Sequence, residues 1–78
     1  MTHRRVVSWR VVRRALEARG VGIGTRGSEA RLQRRNPDGT FETYILQHEC
    51  CRSPSAIVWA THLRRIVWKF GLTEDDLS

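Results

Sequence analysis

The sequence has no long hydrophobic run. None of its segments reaches the roughly 18 consecutive apolar residues by which a membrane-spanning helix is recognised. The N-terminal segment MTHRRVVSWRVV also lacks the extended apolar core of a secretory signal peptide. We therefore expect a cytoplasmic protein. Its 78 residues predict a single domain over residues 1–78, with residues 1–7 as a flexible arm.

Cysteine is scarce, and the two cysteines, Cys50 and Cys51, are neighbours. A disulfide between adjacent residues would strain the usual separation of the two Cα atoms, so we expect reduced thiols rather than a secreted disulfide scaffold. His48 and His62 would bring the number of metal ligands to four, but no paired Cys-x-x-Cys spacing supports zinc. We therefore predict no metal and no cofactor.

Acidic residues are also few, eight against fourteen basic residues, for a net charge of +6. Residues 1–35 carry ten arginines and two glutamates, whereas residues 36–78 carry four basic and six acidic side chains. Nearly all of the cations are arginine, which binds phosphate through paired hydrogen bonds, although a GC-rich genome would favour arginine codons as well. A basic charge concentrated in one half of the chain favours a polyanionic partner, with nucleic acid the leading candidate.

Two segments have the periodicity of amphipathic helices. The first covers residues 8–19 and is followed by Gly20, a common residue at helix ends. The second covers residues 61–70 and is closed by Gly71. Their apolar stripes consist of Trp9, Val12 and Leu16 in the first helix, and of Leu63, Ile66, Val67 and Phe70 in the second.

Between the helices, the sequence predicts three strands. Residues 21–25 are predicted to form a short strand, which is weak because two of its residues are glycine. Residues 28–35 alternate between apolar and polar side chains. The turn residues 36–39, NPDG, lead to a third strand over residues 40–48. We therefore predict an α+β fold of order α-β-β-β-α. It has a three-stranded antiparallel sheet with two helices on one face, and its other face is open to a partner.

The predicted register of the hairpin places Arg35 opposite Thr40. In this register, one sheet face is apolar and meets the helices, while the other is polar and open. The apolar face would consist of Ala30, Leu32, Phe41, Thr43 and Ile45, and the open face of Glu29, Arg31, Gln33, Arg35, Glu42, Tyr44, Leu46 and His48. Glu29 would then lie opposite Leu46 and diagonal to His48.

Several short motifs occur in a fixed order along the chain. They are ALEARG at 15–20, RGS at 26–28, PDG at 37–39, LQH at 46–48, LRRI at 63–66 and GLTE at 71–74. In this order they resemble the HicA family of bacterial toxin–antitoxin toxins, over nearly the whole chain. The resemblance implies a fold like that of a double-stranded-RNA-binding domain, mRNA interferase activity, RNA as the substrate and an acidic antitoxin protein as a possible partner.

The chain departs from the family pattern at the catalytic position. The family motif reads Gly-Ser-His and its histidine is the catalytic residue, whereas this chain has Glu29 there. Gln47 stands where the family usually has a proline, near the end of the third strand. The fold and the class of partner therefore transfer from the resemblance better than the activity does.

RNA cleavage through the 2′-hydroxyl needs a base, an acid for the leaving oxygen and a cation for the phosphorane. Glu29 and His48, together on the predicted open face, are the candidate catalytic pair, with Arg31 nearby to hold phosphate. The simpler interpretation is an ion pair of Glu29 with Arg26 or Arg31, because opposite charge favours the carboxylate and makes it a weak base. We therefore favour RNA binding without cleavage.

Cationic and aromatic side chains supply the candidate RNA contacts. Arginine binds phosphate and an aromatic ring can stack on a base, although a solvated surface would carry the same residues. The candidates are Arg10, Arg13 and Arg14 in the first helix, Arg26, Ser28, Arg31 and Arg35 in the strands, and Tyr44 on the open face.

Trp68 lies off the apolar stripe of the second helix, next to Arg64 and Arg65. An exposed tryptophan beside arginine is typical of a protein interface, although tryptophan also fills the edges of cores. We therefore predict a partner interface at these three residues. A non-catalytic protein-interaction module on the same fold is the alternative to an RNA-binding function.

Overall fold

A computed structural model of the chain describes residues 6–26, 29–47 and 53–77. It confirms the α+β layout, with a three-stranded antiparallel sheet and two helices. The elements are β1 (Val7–Ser8), α1 (Trp9–Ala18), β2 (Gly22–Arg26), β3 (Glu29–Arg35), β4 (Phe41–Gln47), β5 (Ile57–Val58), α2 (Ala60–Phe70) and a short 3-10 helix (Asp75–Leu77).

Helix α1 begins and ends as its sequence indicates. The hydroxyl of Ser8 accepts a hydrogen bond from the amide of Val11 at 3.4 Å, which satisfies one of the free amides of the first turn. At the other end, Gly20 has a φ of 80°, and the amide of Val21 donates to the carbonyl oxygen of Leu16 at 3.0 Å. This left-handed residue turns the chain back into β2.

Helix α2 ends at Gly71, which is also left-handed, with a φ of 69°. Arg34, from β3, reaches this end and donates a hydrogen bond to the carbonyl oxygen of Phe70 at 3.0 Å. Its guanidinium carbon also lies 5.6 Å from the centre of the Phe70 ring. Arg34 therefore joins the sheet to the C-terminal end of α2, where the helix dipole favours a positive charge.

The predicted hairpin register is wrong by one residue. Arg35 pairs with Phe41 instead of Thr40, because five residues, 36–40, connect the two strands rather than the four, 36–39, of the predicted pairing. The Asn36 amide donates to the Thr40 carbonyl oxygen at 2.7 Å and closes this turn. Gly39 supplies the left-handed residue with a φ of 92°.

This shift turns every side chain of β4 to the face opposite the predicted one. Leu46 is fully buried between the sheet and the helices, whereas Phe41 and Ile45 are 57% and 38% exposed on the other face. The two faces of β3 are as predicted, with Ala30 and Leu32 buried. The predicted faces of six β4 residues are therefore wrong. The side chains on the face without helices are Phe41, Thr43 and Ile45, and those on the helix-covered face are Glu42, Tyr44 and Leu46.

The core lies between the sheet and both helices. A second, two-stranded sheet extends it, since β1 pairs with β5 and brings Val7 opposite Val58. Both valines are buried, so Val7 is part of the packed structure although the sequence placed it in the flexible arm. Residues 1–5 of that arm lie outside the described residues. Within the described ranges, neither helix has the length and apolar character needed to cross a bilayer.

Candidate nucleic-acid interface

One face of the three-stranded sheet carries no helix. The register brings side chains from all three strands together on it, in cross-strand rows. We call this surface the open face. Its described residues are Gly22, Gly24 and Arg26 from β2, Glu29, Arg31, Gln33 and Arg35 from β3, and Phe41, Thr43 and Ile45 from β4. Three arginines and one glutamate make the described part of this face basic.

A groove of about 290 Å³ lies at one end of the open face. Gly24, Arg31 and Ile45 form one cross-strand row in it, and Arg26 and Glu29 lie opposite each other in the next. Because Gly24 has no side chain, the groove reaches the backbone of the edge strand. Its lining residues are Gly24, Thr25, Arg26, Glu29, Arg31 and Ile45.

Glu29 lies in this groove with its side chain exposed. Although Arg26 is directly opposite and Arg31 is two residues away, Glu29 forms no side-chain hydrogen bond or ion pair with any residue that the structure describes. The ion pair favoured from the sequence is therefore not formed. The proposed catalytic partner, His48, and the RNA-binding candidate Ser28 lie outside the described residues.

The predicted RNA-binding arginines fall on two different surfaces. Arg26, Arg31 and Arg35 share the open face. The three arginines of α1 are exposed on the helix itself, whose buried stripe faces the core; they are Arg10, Arg13 and Arg14. Since both helices cover the other side of the sheet, the arginines of α1 are not part of the open face.

Tyr44 is not on the open face, which corrects its predicted role in stacking on a base. Its side chain lies on the helix-covered face of β4, where its hydroxyl is 2.7 Å from Nδ1 of His62. The exposed aromatic ring of the open face is Phe41, beside Arg35. Sequence reasoning placed Phe41 on the opposite face, because the register of the hairpin depends on the conformation of the turn.

The outer side of α2 forms a second candidate surface. Trp68 is 84% exposed, as expected from its position off the apolar stripe. A groove of about 400 Å³ beside it is lined by Tyr44, Arg64, Arg65, Trp68 and Lys69. Lys69, which the sequence did not single out, forms an ion pair with Glu42 at 3.2 Å, whereas the arginines have no such partner in the described part of the chain. The structure thus brings the three predicted interface residues together.

The metal hypothesis gains no support from the described residues. They contain no group of three or more histidine, cysteine, aspartate or glutamate side chains that could hold a metal ion. His48, Cys50 and Cys51 lie outside them.

Comparison with known proteins leaves the family open. No family model, curated protein or solved structure matches this chain. The resemblance to the HicA family stays a prediction from the ordered motifs.

Proposed function

We propose that this chain is a cytoplasmic, HicA-like protein that binds single-stranded RNA through its open face. The observation that carries the proposal is an uncovered sheet face with Arg26, Arg31 and Arg35 beside the exposed side chains of Phe41 and Ile45. Arginines on such a surface neutralise phosphates. An exposed ring stacks on a base with little regard to sequence, at about 1–3 kcal/mol per base.

The exposed aromatic ring favours single-stranded over double-stranded RNA. The bases of a duplex are stacked on each other, whereas those of a single strand can be splayed out onto a protein ring. Phe41 is 57% exposed and pairs with Arg35 across the hairpin. A base on Phe41 would therefore have its phosphate within reach of a cation.

Cleavage is not included in this proposal. A carboxylate acts as a general base best when its environment is apolar, and Glu29 is exposed in a groove with Arg26 and Arg31. The chain would then be a toxin-derived component of a toxin–antitoxin system that kept RNA binding.

The experiment is fluorescence anisotropy of a labelled oligouridine against salt concentration. Arg31→Ala and Arg35→Ala should each weaken binding and reduce the slope of log K against log salt by about 0.7, the value for one phosphate contact to a single strand. Arg10→Ala and Arg14→Ala, on α1, are the matched controls and should leave both quantities unchanged. Absence of binding at low salt would refute the proposal.

A second candidate function, protein interaction, is favoured by the exposure of Trp68. A tryptophan that is 84% exposed beside Arg64 and Arg65 has the composition of an interface hot spot, and its cations suit an acidic partner such as an antitoxin. The first step of the test is whether a small acidic protein is encoded next to this gene, and the second is calorimetry with that protein. Trp68→Ala should weaken that complex at least about tenfold, and Trp59→Ala is the control.

A further inference from the structure

Gly24 lines the groove around Glu29 at a position where the backbone conformation does not require a glycine. Gly24 lies inside β2 without a positive φ, and a Cβ atom built on it would meet no atom within 4 Å. A glycine inside a strand weakens it, and it often marks a place where a ligand approaches the backbone closely. The missing side chain therefore leaves space for a ligand in the groove.

The walls of the groove supply three kinds of contact. Arg26 and Arg31 supply cations, and Ile45 supplies a partly exposed apolar surface. Glu29 supplies a carboxylate that is unpaired within the described residues, so both of its oxygens are available as acceptors. A nucleotide offers the complement of this set, namely a phosphate, a flat base and hydrogen-bond donors on the edge of that base.

We infer that Glu29 recognises guanine in RNA bound on the open face, an inference that rests on the proposed function. Guanine has two adjacent donors on its Watson–Crick edge, N1–H and the N2 amino group, and a carboxylate accepts from both at once. Uracil has one donor between two carbonyl oxygens that repel a carboxylate. Adenine and cytosine each place an acceptor nitrogen beside their amino group, so neither offers the same pair.

The test is the affinity for labelled uridine octamers with one central guanine, inosine, adenine or cytosine, measured by anisotropy at low salt. Wild-type protein should bind the guanine octamer about tenfold more tightly than the inosine octamer, which lacks the N2 amino group. Glu29→Gln should lose that preference and keep its thermal unfolding temperature. Glu17→Gln, on α1, is the matched control and should retain the preference.

The role of Gly24 in leaving space for the ligand is tested in the same assay. Gly24→Ala adds a methyl group inside the groove and should weaken binding of every octamer several-fold without lowering stability. Gly22→Ala is the comparison within the open face. Because Gly22 lies on the same face of the same strand but outside the groove lining, this variant should weaken binding less than Gly24→Ala does. A Cβ atom at that position makes an ordinary contact of 3.6 Å with the carbonyl oxygen of Gln33.

The possible outcomes distinguish guanine recognition by Glu29 from RNA binding on the open face, the proposed function on which it rests. Equal affinity for the guanine and inosine octamers, a guanine preference that survives Glu29→Gln, or unchanged binding by Gly24→Ala would overturn the inference and leave RNA binding in place. If the wild-type protein binds none of the octamers at low salt, both are refuted.

Discussion

At the scale of single residues, two glycines of this chain have different roles. Gly71 has a φ of 69° and closes α2, whereas Gly24 lies in a strand without a positive φ and has free space around it. The first is required by backbone conformation, since other residues are strained in the left-handed region. The second is a candidate for a functional requirement.

Gly71→Ala should therefore lower the free energy of unfolding by about 1 kcal/mol, the cost of a left-handed alanine. Urea denaturation followed by circular dichroism measures this change. Gly24→Ala is the comparison and should be neutral or slightly stabilising, because alanine has less freedom to lose on folding. Equal losses in the two variants would contradict these assignments.

Tyr44 and Phe41 show where reasoning from single residues stops. Each is an aromatic residue of β4, and the sequence alone does not say which of them faces the helices. That choice depends on the turn, where Asp38 accepts hydrogen bonds from the Thr40 hydroxyl at 2.6 Å and from its amide at 2.9 Å. A side-chain contact of this kind, outside the strand pattern, sets the register of the hairpin.

At the scale of elements, the amphipathic helices and the alternating strand were predictable, since each carries its own hydrophobic period. Strands β1 and β5 were not predictable, because two residues are too few to show a period. They form because the chain on either side brings them together, as when the Trp9 amide donates to the Ala56 carbonyl oxygen at 2.7 Å. The burial of Val7 follows from that pairing.

The C-terminal 3-10 helix is held by a reciprocal cap at Thr73 and Asp76. The Asp76 carboxylate accepts from the Thr73 amide at 2.7 Å, and the Thr73 hydroxyl accepts from the Asp76 amide at 3.3 Å. Arg19, just after α1, adds an ion pair to the same carboxylate at 2.8 Å. The Thr73 amide first, and the Arg19 guanidinium second, hold the pKa of Asp76 below its usual value.

This lowered pKa predicts a pH dependence of stability. A carboxyl group whose pKa is lower in the folded state stabilises the protein above its unfolded pKa of about 3.9, and that stabilisation is lost as the pH falls through the folded value. The difference in melting temperature between wild type and Asp76→Asn should therefore be present at about pH 7 and shrink below about pH 4. Asp75→Asn is the control, and a constant difference for Asp76→Asn would argue against the cap.

At the scale of the whole molecule, the chain presents two separate surfaces of different character. The open face combines arginines with Phe41, Ile45 and the groove of Glu29, while the outer side of α2 presents Trp68 between cations. The apolar stripes of the two helices place both helices on one face of the sheet. The separation of the two surfaces follows from that layout and was predictable. The membership of each surface was not, because it depends on a one-residue difference in the register.

The most direct measurement is a two-dimensional amide NMR titration of the isotope-labelled protein with an oligouridine at low salt. We expect saturable shifts at the amides of β2, β3 and β4, strongest around Arg31, Arg35 and Phe41, with α1 and α2 unaffected. The shifts should decrease as salt is added, because the contacts are to phosphates. An absence of shifts, or shifts confined to the helices, would contradict RNA binding on the open face.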